Sequence, residues 1–89
     1  MRYQQPHIII DFYPDGVAFI QVDDYELFDF ISDYLSEEYS MEFEYTSLID
    51  KLKKYSMFFP ERYSFQRLKD AIQKLDKNEI EKIYRLNNK

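Results

Sequence analysis

Apolar residues run in two short blocks at the start of the chain, then recur at helical spacing. His7–Tyr13 and Val17–Val22 are rich in β-branched and aromatic residues, which favours strands. Pro14-Asp15-Gly16 lies between them. Proline presets φ for the first corner of a turn, Asp15 tolerates the second, and Gly16, the only glycine, supplies positive φ. The pattern predicts a β-hairpin. From Asp23 onward the period changes. Leu27, Phe28, Ile31, Tyr34 and Leu35 fall on one helical face. Asp23 with Glu26 has the spacing of a capping box. On the opposite face Glu26, Asp29, Asp33 and Glu37 fall within roughly an 80° arc at 100° per residue. Phe30 lies beside that arc.

The next stretch alternates. Met41, Phe43 and Tyr45 point one way and Ser40, Glu42 and Glu44 the other, as in a half-buried third strand. Ser47 is placed to cap a helix of about three turns whose apolar positions are Leu48, Ile49, Leu52, Tyr55 and Phe59. Pro60 ends it. A further helix is expected from about Glu61 or Ser64 to Leu75, with Phe65, Leu68, Ile72 and Leu75 on one stripe. Asp76 and Glu79 repeat the capping spacing, so residues 79–86 form a short last helix with Ile80, Ile83 and Tyr84 inward. The same residues also alternate, so a strand fits them too. The expected fold is α+β: an N-terminal hairpin, a helix, a third antiparallel strand, then two or three helices on one sheet face. With no linker and no repeat, residues 1–89 read as a single domain.

A chain of 89 residues has room for one core. There is no cysteine, so neither a disulfide nor a thiolate metal site is available. Nine tyrosines and eight phenylalanines supply the packing instead. The N-terminal stretch has a three-residue apolar run, Ile8–Ile10, too short for a secretory signal, and no window approaches a membrane span. A cytoplasmic protein without membrane contact is expected.

Charge changes the picture. Residues 1–50 carry twelve Asp/Glu against one Arg, a net of −11; residues 51–89 carry eleven Lys/Arg against five Asp/Glu, a net of +6. From Tyr3 to Asp50 there is no Lys or Arg. Catalytic signatures are lacking. His7 is the only histidine, no serine sits in a Gly-x-Ser-x-Gly elbow, and a phosphate loop needs more than one glycine. The acids have no calcium-loop spacing, so no metal or other cofactor is expected. The lysines of the second half read as solvated helix faces. The overall pI near 4.8 disfavours nucleic acid as a partner. An enzyme is therefore not expected.

What remains is DDYELFDFISDYLSEEY followed by SMEFEY. The helix acids have no basic partner at i±3 or i±4, and like charges at that spacing cost a few tenths of a kcal/mol each. One reading is a solvated face over an aromatic core. The other is a binding surface for a cationic protein. There Asp24, Glu26, Asp29, Asp33 and Glu37 would steer the partner, and Phe30 and Tyr39 would anchor it. On these two stretches the chain resembles the small acidic immunity proteins of bacterial polymorphic or contact-dependent toxin systems. Maf-type immunity proteins, whose cognate toxins include nuclease domains, fall within the same resemblance. It implies a non-enzymatic antitoxin that binds one cognate toxin domain, often a cationic nuclease, by occupying its phosphate-binding surface. Two alternatives fit the same charge pattern. One is a phage-encoded nucleic-acid mimic that inhibits a defence nuclease. The other is a homo-oligomeric adaptor in which the basic half of one copy meets the acidic half of another.

Overall fold

The computed structural model describes residues 2–87. The α+β class holds. Five antiparallel strands form one sheet: β1 Tyr3–Gln5, β2 Ile8–Phe12, β3 Ala18–Val22, β4 Tyr45–Ile49 and β5 Lys54–Phe58. Three helices accompany it: α1 Tyr25–Tyr39, α2 Phe65–Gln73 and α3 Lys77–Asn87. The spatial order is β1-β2-β3-β5-β4, so the central contact joins an N-terminal meander to a later hairpin.

The predicted first hairpin forms as its turn chemistry requires. Gly16 takes φ 94, its N–H donates to Tyr13 O at 2.9 Å, and Val17 N–H donates to Asp15 Oδ1 at 3.0 Å. A second hairpin precedes it, which local reading did not foresee. In Gln5-Pro6-His7-Ile8 the proline presets one corner, and His7 takes the left-handed conformation (φ 72) of a type II turn.

Helix α1 begins one residue later than the capping pattern suggested. Asp24, not Asp23, is the N-cap: its carboxylate accepts the Leu27 N–H at 3.0 Å and is buried. Asp23 is turned instead toward His7. Glu26 therefore stands outside any capping box, in the first turn, where a negative charge still suits the helix dipole. At the other end Ser40 turns left-handed (φ 54) and leads the chain back toward the sheet.

The largest correction concerns residues 41–59. Of the strand expected over Ser40–Tyr45, only Tyr45 lies in a strand; residues 41–44 form a connector, with Met41 buried and Phe43 packed against the core. The expected helix from Ser47 to Phe59 is a hairpin. β4 and β5 pair in register from Tyr45↔Phe58 to Ile49↔Lys54, joined by one 3₁₀ turn at Asp50–Leu52 and a left-handed Lys53 (φ 52). The helical stripe of Leu48, Ile49 and Leu52 was fortuitous: all three are exposed. The period that matters is two. Tyr55, Met57 and Phe59 all point into the core, because pairing with Val22 and Ile20 of β3 fixes which face they occupy.

All the helices lie on that face. Ile8, Ile10, Ala18, Ile20, Val22, Tyr55 and Met57 meet Leu27, Ile31 and Leu35 of α1, Leu68, Ala71 and Ile72 of α2, and Ile80 of α3. The last two helices form: Ser64 Oγ accepts the Arg67 N–H, Asp76 Oδ1 accepts the Asn78 N–H at 2.8 Å as the capping spacing suggested, and residues 79–86 are helical. Among the described residues, the opposite face of the sheet has no helix. The hairpin makes a simple test. Met57→Ala should cost about 2–5 kcal/mol, whereas Leu52→Ser should stay within about 0.5 kcal/mol, both by urea denaturation. The reverse order would restore the helical reading.

Candidate functional site

The acidic face survives folding intact. Glu26, Asp29, Asp33 and Glu37 are all exposed along α1, and among the described residues none of them has an ion pair. Asp24 does not belong with them. At 3 % exposure, with its carboxylate capping the helix, it is withdrawn from any contact surface.

The proposed anchors are placed less openly than the acids. Phe30 is half-buried and packs against the core. Tyr39 is half-buried, its ring edge-on to Tyr34 at 5.6 Å. Tyr34 is itself fixed, donating its hydroxyl to Ala71 O at 2.8 Å. Burial pushes the Tyr34 phenol above its ordinary pKa, and the nearby Tyr39 hydroxyl adds to the effect. Through Tyr34 this pair of rings ties α1 to α2. The aromatic that α1 does expose is Tyr25, which stacks on Phe28 and meets Tyr55 edge-on.

Beside the acids lies a groove of about 270 Å³. Ser32, Asp33 and Ser36 of α1 form one wall; Met41, Glu42 and Phe43 of the connector form the other. Met41 and Phe43 give it apolar surface, and Asp33 and Glu42 give it carboxylates. The volume falls just below the usual range for a small-molecule pocket. Glu42 belongs to the site although it was first assigned only to the outer face of a strand. Its place against α1 follows from the left-handed turn at Ser40.

A second polar cluster surrounds His7. Its Nδ1 lies 3.0 Å from Asp23 Oδ2 and its Nε2 3.2 Å from Glu81 Oε2. Its ring stacks on Tyr84 at 3.8 Å. Both ring nitrogens can donate only in the imidazolium form. Glu81 also accepts from Arg85 Nε at 3.2 Å. Burial lowers the His7 pKa, but the hydrogen bonds and charges of Asp23 and Glu81 outweigh it and leave the pKa above 6.5. The cluster joins the first turn, the start of α1 and α3. With both nitrogens engaged, His7 has none left for a ligand, and among the described residues no acid–histidine group is arranged to hold a metal.

The helix-free sheet face carries a third feature, which a helix over residues 47–59 would not have formed. Tyr13, Phe19, Phe58 and Tyr45 form a continuous ring cluster; Tyr45 stacks on Phe58 at 4.7 Å. Period-two reading of Phe58 against Phe19 would have found it.

Compared with family models, curated proteins and solved structures, the chain matches none. Among the described residues no helix is long and apolar enough to cross a membrane.

The His7 bridge generates a pH prediction. Because the folded pKa is raised, its stabilisation is complete below the unfolded value of 6.5 and is lost as pH rises through the folded pKa. His7→Asn retains a residue that tolerates positive φ while removing the imidazolium. At pH 6 it should cost about 1 kcal/mol, since both carboxylates are partly in water. Above pH 8 the difference from wild type should shrink. A constant difference across pH by urea denaturation would show that the bridge carries no charge.

Proposed function

We propose that this chain is a non-enzymatic cytoplasmic immunity protein that neutralises a basic toxin domain, of which a nuclease is the type best suited. One observation carries the reading. Four exposed carboxylates on α1, without an ion pair among the described residues, adjoin a groove lined by Asp33, Glu42, Met41 and Phe43. Like charges at helical spacing without local compensation disfavour the isolated helix. A cationic partner turns that cost into attraction and accelerates encounter.

The placement of the rings refines the expected contact. Glu26, Asp29, Asp33 and Glu37 steer, and the groove between α1 and the connector receives a basic side chain of the partner. Phe30 and Tyr39 act by holding α1 in position, with Tyr25 as the exposed aromatic beside the row. A toxin whose catalysis depends on lysines or arginines against phosphate would be blocked by carboxylates occupying the phosphate sites.

The test is paired affinity capture from the native host at low salt, with wild type and Asp29→Lys/Asp33→Lys as baits. Wild type should retain one dominant basic protein, released by salt and toxic when expressed without this chain. Charge reversal should slow its association by about 10–100-fold. Equal capture by both baits, or recovery of the baits alone, would return the acidic face to a role in solubility.

A further inference from the structure

The two edges of the sheet are treated very differently. β1 is three residues long and is followed at once by Pro6; Lys69 Nζ lies 5.7 Å from the centroid of the Tyr3 ring. Short strands, proline and lysine are the usual protections of a sheet edge. β4 has none of them. Tyr45-Thr46-Ser47-Leu48-Ile49 contains no charge, no proline and no bulky polar side chain. The helix layer covers β5 but does not extend over β4. Tyr45 is 54 %, Leu48 48 % and Ile49 42 % exposed, so apolar side chains stand uncovered on both faces of the same strand. Beyond it, among the described residues, no further strand takes its outward N–H and C=O groups. Both faces and the hydrogen-bonding edge are thus open together.

We propose that β4 is the seam of a homodimer, in which β4 of one copy pairs antiparallel with β4 of a second. The charges beside the strand select this occupant and this direction. The connector before β4 carries Glu42 and Glu44; the turn after it carries Lys51 and Lys53, and Lys54 opens β5. Antiparallel pairing about a two-fold near Ser47 lays the acidic approach of each copy beside the basic exit of the other. Parallel pairing would set like against like. The one acid in the turn, Asp50, already accepts the Tyr55 hydroxyl at 2.8 Å. The arrangement is self-complementary, as an isologous interface must be. It joins two five-stranded sheets into one of ten strands, and brings the Tyr45–Phe58 stacks of both copies onto one continuous aromatic face. Since the two-fold stands perpendicular to the sheet, both α1 acidic rows lie on the same side of the dimer. The inference rests on the edge strand and holds whether or not the acidic row binds a toxin.

Sedimentation equilibrium on the full chain tests it. Wild type should sediment at twice the 11.0 kDa chain mass at concentrations on the order of 10 µM and above. Leu48→Lys, at an exposed position, should raise the dissociation constant by about 100-fold with an unchanged far-ultraviolet circular dichroism spectrum. A charge exchange supplies the second arm. Glu42→Lys/Glu44→Lys has two basic ends, and Lys51→Glu/Lys53→Glu has two acidic ends. Each should be monomeric alone, and mixing them should restore a dimer. A wild type that stays monomeric at about 100 µM would overturn the proposal and leave the edge to a strand of another protein. So would a dimer that survives Leu48→Lys, or exchange variants that do not combine.

Discussion

The pairing of β3 with β5 holds the molecule together. Phe19–Val22 meets Tyr55–Phe58 across more than thirty intervening residues, which include the whole of α1. Loop closure over such a length costs entropy before any contact repays it. The return comes from Tyr55, Met57 and Phe59, which the pairing register sends into the core opposite α1. Without that register, the β4–β5 hairpin has no sheet to join and α1 loses part of its floor.

The acidic row depends on the same constraint at one remove. α1 is amphipathic, so packing Leu27, Ile31 and Leu35 on the sheet forces Glu26, Asp29, Asp33 and Glu37 outward. The left-handed Ser40 then returns the chain past the helix, which creates the groove and brings Glu42 to its rim. His7 secures the start of α1 from the other side, by holding Asp23 and so leaving Asp24 as the cap. Acids in this region therefore do three different jobs: capping, bridging and facing solvent.

The two ends of the charge split are also distributed by topology. The lysines that follow β4 stand at the open edge of the sheet, and the acids that precede it stand at the other end of the same strand. A split that looks like two halves of a chain becomes, at this edge, a polarity along one strand. Polarity of that kind is what an antiparallel self-contact uses, whereas the α1 row has one sign throughout and suits a foreign cationic surface.

The sequence by itself determined the elements whose cause is local. Pro14-Asp15-Gly16 makes the first hairpin, because backbone sterics allow few other conformations there. Leu27 to Leu35 makes α1 and Leu68 to Ile72 makes α2, because side chains three and four apart share a face. The acidic row was legible for the same reason. Only the tertiary structure decided between Asp23 and Asp24 as cap, withdrew Phe30 and Tyr39 to brace the helix, and turned residues 45–58 into strands. Leu48, Ile49, Leu52 and Tyr55 satisfy a helical period as well as their neighbours satisfy a strand period. The balance between the two is set by β3, whose unpaired edge is remote in sequence and adjacent in space. Where local preferences are nearly equal, the burial gained by a distant partner chooses the conformation.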